Sequence, residues 1–167
     1  MKNVEELIKG RYSSQTRNSF IEMNQIFKSI QLAYFEGSRS SVPSAGGIYG
    51  LKIIVFYLNQ KRVFDSHGML EEIAFDRTSI NRYCFKDSQN NFHEQSILIA
   101  VTYDYESYYQ KYGNCGVRYA AIEAGAFVQN LQLYLLTEGI HGCPLGFVKN
   151  DDLLGLEDEA LVYFLLN

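Results

Sequence analysis

Apolar residues recur along the chain with two distinct periods, and the predicted elements follow from them. Ile53 to Leu58 is a continuous apolar, β-branched run, and Ser96 to Thr102 (Ser-Ile-Leu-Ile-Ala-Val-Thr) is a second. Their length and composition predict strands covered on both faces. After the first, Asn59-Gln60-Lys61 turns the chain into a weaker strand around Val63-Phe64, with another over Met69 to Phe75. Ala160 to Leu166 predicts a final buried strand.

Helical spacing governs most of the rest. Val4 to Lys9 predicts a short helix stopped by Gly10. Met23, Ile26, Phe27, Ile30, Ala33 and Tyr34 keep helical spacing, with Ser19 as expected N-cap, Glu22 completing a capping box and Gly37 as the stop. Tyr105 to Tyr112 reads as a short aromatic helix or loop, and Asp151 to Leu156 as a short helix. Val117 to Glu138, ended by Gly139, is the longest predicted helix. Its Ala120, Ala121, Ala124, Gly125 and Ala126 form a smooth face, suited to a tight packing seam, a subunit interface, or both. Asp76 to Glu94 is polar and without a period, and reads as a surface excursion. No internal repeat or linker interrupts residues 1–167, so the expectation is one α+β domain with mixed sheet order.

Composition narrows the partners. With 15 Lys and Arg against 19 Asp and Glu, the net charge is −4, and no basic run is long enough to track a phosphate backbone; nucleic-acid binding is disfavoured. The 13 Tyr and 11 Phe, without Trp, suit either an aromatic core or the walls of a pocket for a flat ligand. The opening Met-Lys-Asn-Val-Glu-Glu is no signal peptide, and no apolar run approaches a membrane span. Cys84, Cys115 and Cys143 are odd in number and widely spaced, which reads as reduced thiols in a cytoplasmic protein.

Four segments carry candidate chemistry. Pro43-Ser44-Ala45-Gly46-Gly47 precedes the first apolar run; Pro43 biases Val42 towards extended geometry, and the small residues leave bare backbone that a planar ligand can approach. Gly46-Gly47 also permits a positive φ, although an ordinary turn has the same composition. Arg11 and Ser13 offer a planar fork of donors and a hydroxyl suited to phosphate; a solvated arginine is the plain alternative. Cys143-Pro-Leu-Gly-Phe147 reads as a second compact loop, with backbone N–H groups that can meet a ring edge. Lys111-Tyr112 is the acid–base candidate: a buried lysine can accept a proton near neutral pH while a tyrosine positions or donates one. The alternative is an exposed lysine beside a half-buried tyrosine. His141-Gly-Cys143 supplies only two ligands, with His67 and His93 far off, so no metal is expected. A Cys–His nucleophile is equally thin, and Asp104, Glu106 and Glu123 are too isolated for a paired-carboxylate site.

In order along the chain stand Arg11-Tyr-Ser13, Pro43-Ser-Ala-Gly-Gly-Ile-Tyr49, Lys111-Tyr-Gly113, Arg118-Tyr119, Glu123-Ala-Gly125, Gln129-Asn-Leu131, Gly146-Phe147 and Asp151-Asp152. This series resembles the SagB-type dehydrogenases, a branch of the nitroreductase superfamily, over nearly the whole chain. The resemblance implies a nitroreductase-like α+β fold: a central, mostly antiparallel sheet surrounded by helices, working as a homodimer. It implies FMN at the dimer interface, with phosphate and ribityl chain at Arg11 and Ser13. The loop of Pro43, Ser44, Ala45, Gly46 and Gly47 would be supplied by one subunit to the other's cofactor, and the N–H groups of Leu145 and Gly146 would face flavin N5. The implied reaction is dehydrogenation of a peptide thiazoline or oxazoline, with hydride passing to the flavin and a proton to Lys111 or Tyr112. Oxygen would reoxidise the flavin; a cyclodehydratase and a precursor peptide would be the partners. An NAD(P)H-dependent nitro or quinone reductase, and a flavin-free scaffold or peptide-binding subunit, are the alternatives. Relatives commonly continue into a tail that helps hold the phosphate. With the sequence ending at Asn167, the expectation is weaker cofactor affinity or reliance on Arg11, Arg17 and neighbours.

Overall fold

Alternation within the apolar runs sorts their side chains onto the two faces of one sheet. The computed structural model describes residues 3–14, 16–18, 21–36, 39–80, 92–146, 148–149 and 151–167. The chain begins with α1 (Val4–Gly10), α2 (Met23–Tyr34) and a small ribbon of β1 (Phe35–Glu36) and β2 (Arg39–Ser40). Next come β3 (Leu51–Tyr57), β4 (Gln60–Asp65), β5 (Gly68–Ala74) and the single turn α3 (Arg77–Ser79). The second half holds β6 (Ile97–Tyr103), α4 (Tyr105–Tyr112), α5 (Gly116–Thr137), β7 (Cys143–Leu145) and β8 (Val162–Leu166). The main sheet has six strands in the order β5-β4-β3-β6-β8-β7, with every neighbouring pair antiparallel.

The two longest apolar runs are the two middle strands. β3 and β6 pair from Leu51 opposite Tyr103 to Phe56 opposite Leu98, and β6 is buried at every position. Leu51, Ile53, Val55, Ile97, Ile99 and Val101 face a core shared with α2 and α5. The intervening Ile54, Phe56, Leu98 and Ala100 join Tyr163, Leu165, Ile80, Val148 and Leu154 on the other side. Period-two alternation with apolar cover on both faces explains why these strands read as continuous apolar stretches. At the outer edge, β5 is exposed at all its positions, and its register against β4 shifts between Val63 and Phe64.

The helices obey the sequence pattern with three local differences. α2 buries Ile26, Ser29, Ile30, Ala33 and Tyr34, but its N-cap is Glu22, whose N–H donates to Gln25 Oε1 at 3.1 Å. The expected cap Ser19 and stop Gly37 lie outside the described residues; α2 ends at Tyr34 because Phe35 enters the ribbon opposite Ser40. The expected loop at 143–147 is instead edge strand β7 over Cys143–Leu145, paired to β8. An edge position tolerates Pro144, which has no N–H to contribute to a ladder; Phe147 lies outside the described residues. The predicted helix at Asp151 is a 3₁₀ turn over Asp151–Leu154.

α5 ends where Gly139 predicts. Gly139 takes φ 73°, its N–H donates to Leu136 O at 3.2 Å, and Ile140 N–H donates to Leu135 O at 2.9 Å. That is a Schellman closure, with Ile140 buried as its apolar partner. The smooth face divides: Ala120 and Ala124 are buried in the core, whereas Ala121 and Gly125 are exposed. Ala124→Leu therefore overpacks the α5–sheet seam and lowers stability by about 1–3 kcal/mol, read from urea unfolding. An unchanged unfolding midpoint would show that this seam has room.

Candidate functional site

The most buried carboxylate among the described residues organises the region before β3. Glu123 lies on the core side of α5, wholly buried. Tyr34 of α2 donates its hydroxyl to Glu123 Oε1 at 2.8 Å, and Tyr108 of α4 donates to Oε2 at 2.8 Å. Each phenol oxygen also accepts from backbone: Leu51 N–H to Tyr34 at 3.0 Å, and Gly50 N–H to Tyr108 at 3.4 Å. Burial pushes both tyrosines well above the ordinary phenol pKa, and the neighbouring Glu123 carboxylate adds to that rise. They thus stay protonated and donate charge-assisted hydrogen bonds to the carboxylate. One acid on α5 thereby fixes two successive backbone N–H groups at the head of β3.

The Pro43–Gly47 loop hangs from this clamp. Val42 is buried, and Asn130 Nδ2 of α5 donates to Ser41 O at 3.1 Å and Ala33 O at 3.3 Å, tying down the loop's entry. Ser44 Oγ accepts from Tyr49 N–H at 2.9 Å and closes the loop on itself. Residues 45–47 form a single 3₁₀ turn in which Gly46 has φ 61°. Lys111 Nζ donates to Gly46 O at 2.8 Å. A Cβ on Gly46 would lie 2.6 Å from Lys111 Cε and 2.6 Å from the Tyr112 hydroxyl. Both the positive φ and this approach require glycine. The loop and the Lys111-Tyr112 pair, 65 residues apart in sequence, therefore meet. Lys111 is exposed and Tyr112 half-buried in the single chain, with the Tyr112 ring 4.7 Å from that of Tyr119.

Arg11 and Ser13 belong to a different place. Arg11 is half-buried at the end of α1, and its Nη1 donates to Gln132 Oε1 of α5 at 3.5 Å. Ser13 is exposed, while Ser14 N–H donates to Gly142 O at 3.0 Å and holds this segment beside the approach to β7. Tyr12 stacks on His141 with ring centres 4.6 Å apart. A small recess here is lined by Arg11, Tyr12, Gln132, Ile140 and His141. Next to it runs a trough of about 270 Å³ whose lining includes Ala121, Gly125, Gln129, Gln132 and Pro144. Leu145 is half-buried at the end of β7 and packs towards the second core, and Gly146 after it is exposed.

The Pro43–Gly47 loop with Lys111-Tyr112, and the segment at Arg11, thus form two groups on opposite flanks of α5, while Leu145 packs on the second core. Asn130 serves the Pro43–Gly47 side and Gln132 serves the Arg11 side. Two residues of helix turn the side-chain direction by about 200°, so the body of α5 separates the groups within one chain. Among the described residues no three His, Cys, Asp or Glu side chains gather, and no helix is long and apolar enough to cross a membrane. Cys84 lies outside the described residues; Cys115 is exposed and Cys143 half-buried.

Sequence reasoning set Glu123 aside as isolated and passed over Gln132. The available signal was a polar residue on the apolar stripe of α5, beside Ala120, Ala124 and Phe127 for Glu123, and beside Leu131 and Leu135 for Gln132.

Comparison with known proteins identifies the chain as an oxidoreductase. The nitroreductase family model matches residues 8–166, and the chain belongs to that family, whose members typically use FMN. Among solved structures, a chain of the E. coli microcin synthetase McbBCD complex with truncated pro-MccB17 bound superposes with a TM-score of 0.75 at 17% identity, over 93% of this chain and 66% of that one. A Ralstonia eutropha JMP134 protein assigned to the nitroreductases gives 0.79 at 14% identity, over 99% and 81%. An Exiguobacterium sibiricum 255-15 protein of the same assignment, in complex with FMN, gives 0.70 at 13% identity, over 100% and 89%. Agreement at such identities is agreement of fold. No curated protein matches the chain.

The phenol clamp makes a pH-dependent prediction. Tyrosine in the unfolded chain ionises near pH ~10, whereas Tyr34 and Tyr108 in the folded chain resist ionisation to higher pH. Their stabilisation is fully present below that unfolded value and is lost as pH rises through the raised folded ones. Tyr108→Phe lowers stability by about 1–3 kcal/mol near neutrality, since it leaves Glu123 and Gly50 N–H short of partners. The difference from wild type shrinks above pH ~10. Urea unfolding across pH checks this; a constant difference would mean that Tyr108 ionises freely in the fold.

Proposed function

We propose that the chain is a SagB-type, FMN-dependent dehydrogenase that converts a peptide thiazoline or oxazoline to the aromatic azole, acting as a homodimer. The observation that carries the reading is the Lys111-Tyr112 pair held against Gly46, the point where exposed bare backbone and an acid–base pair coincide. The McbBCD neighbour was solved with a pro-peptide bound, which supports a peptide substrate and companion proteins for this chain. We take a cyclodehydratase and a precursor peptide as those partners, and the cytoplasm as the compartment. Residues 1–167 act in this reading as one domain.

The residues present fit FMN. Arg11 provides a guanidinium suited to a phosphate, with Ser13 adding a hydroxyl. The trough beside Pro144 is open along Gly125, where an added Cβ would meet nothing within 4 Å. Leu145 and Gly146 would present backbone N–H groups to the ring, and Pro43, Ser44, Ala45, Gly46 and Gly47 would cover it. Because α5 stands between the two groups in one chain, we assign the Pro43–Gly47 loop and Lys111-Tyr112 to the partner subunit's cofactor. Val117, Ala121, Ile122 and Gly125 form an exposed, mainly apolar stripe on α5 that suits the contact.

When bound, FMN would supply a two-electron acceptor for the hydride leaving one azoline carbon, with an oxidant such as oxygen as the final acceptor. Lys111 takes the proton from the adjacent carbon, so that a ring C=C bond forms as the two C–H bonds break. Tyr112 positions Lys111. Lys111 is exposed in the single chain; in this reading the partner subunit and substrate cover it.

Flavin content and affinity, anaerobic flavin bleaching and sedimentation test the proposal. Denaturation should release FMN at about one per chain, and Arg11→Ala should weaken its binding by about 1.5–3 kcal/mol. In anaerobic single turnover with an azoline peptide, Lys111→Ala should keep its flavin but bleach it about 10²–10⁴-fold more slowly. Equal rates would make the pair ordinary surface. Prompt bleaching by NADPH would instead point to a nitro or quinone reductase, and a protein unable to bind flavin would be a scaffold. For the dimer, Gly125→Leu should shift sedimentation towards monomer and lower flavin content together. A wild-type monomer that retains FMN at all concentrations would refute the shared site.

A further inference from the structure

Besides Glu123, α5 buries a second polar side chain, and this one is unsatisfied. Gln132 is 7% exposed, and its Nε2 has no hydrogen-bond partner. Its Oε1 accepts from Arg11 Nη1 at 3.5 Å. That contact fixes the amide's orientation, because a guanidinium only donates. Rotating the amide would press its NH₂ against Arg11, so rotation cannot supply the missing acceptor. A buried donor left without a partner destabilises the fold. The adjoining Leu131, Leu135 and Leu136 are buried too, so an apolar side chain of similar size is compatible with this part of the helix.

The position of Gln132 explains why a glutamine is tolerated there. It lines both the recess beside Arg11 and the trough beside Pro144. We infer that Gln132 is a ligand-binding residue: its Nε2–H donates to an acceptor atom of a flat heteroaromatic ligand with an anionic arm, while its Oε1 steadies Arg11 for that anion. Under the proposed function, on which this inference rests, the ligand is FMN. One amide then links recognition of the anion to recognition of the rest of the molecule. Its unpaired donor is the mark of a site completed by ligand rather than by protein.

The test uses the full chain stripped of flavin, with two variants. Gln132→Glu keeps an oxygen for Arg11 but replaces the donor by a second acceptor oxygen and adds a negative charge, whereas Gln132→Leu removes donor and acceptor without adding charge. Thermal melting of the apo protein and FMN affinity by fluorescence quenching are measured side by side. The expected result is that Gln132→Leu melts higher than wild type as apo protein, while both variants bind FMN about 10-fold more weakly, or about 1.4 kcal/mol. Opposite movement of apo stability and affinity separates a ligand contact from a structural role. Wild-type FMN affinity in both variants overturns the inference alone and leaves the functional reading standing. Lower apo stability in Gln132→Leu assigns the residue to packing and also overturns it. A wild-type protein that fails to bind FMN overturns the functional reading and the inference together.

Discussion

A single buried carboxylate decides how the parts of this molecule meet. Removing Glu123 from water is unfavourable, and the Tyr34 and Tyr108 hydroxyls offset that by donating to both of its oxygens. Those tyrosines come from α2 and α4, so the acid couples three helices. The same hydroxyl oxygens accept the N–H groups of Gly50 and Leu51, and so the start of β3 is held to the helical layer. The small-residue loop immediately before β3 inherits that rigidity, and its Gly46 carbonyl in turn receives Lys111. Position at the surface thus derives from electrostatics in the interior.

Much of the architecture was legible because it depends on local pattern. The apolar runs at Ile53 and Ile97 became the middle strands, since only strands covered on both faces remain apolar at every position. Gly139 stopped α5 as its left-handed geometry demands. What local pattern cannot carry is pairing at a distance. Glu123 looked solitary because Tyr34 stands 89 residues away, and Tyr108, 15 residues away, lies on another helix. The segment at Cys143 looked like a loop because three residues containing a proline make too short a run to show alternation; only its partner β8 makes it a strand. Composition favoured Ser19 as the cap with Glu22 completing its capping box, whereas the helix takes Glu22 itself as N-cap.

The candidate site was legible as pieces and not as a whole. Lys111-Tyr112 and Pro43–Gly47 were singled out separately, and the fold joined them through Gly46. Arg11 was singled out as a phosphate ligand, yet its contact with Gln132 depends on how α1 lies against α5. The separation of the two groups by α5 follows from helix geometry and could not be read before the packing of Asn130 and Gln132 was known.

The outer strand β5 bears on which surfaces can stick to one another. A strand exposed along its whole length is a template for adding foreign strands, and unchecked it leads to fibres. Here the edge carries Glu71 and Glu72 side by side, and the slip at Val63/Phe64 distorts the ladder beneath it. Two copies approaching edge to edge would bring like charges together on a strand that is already twisted out of line. Open-ended growth through the sheet is thereby discouraged, leaving self-recognition to surfaces whose symmetry can close.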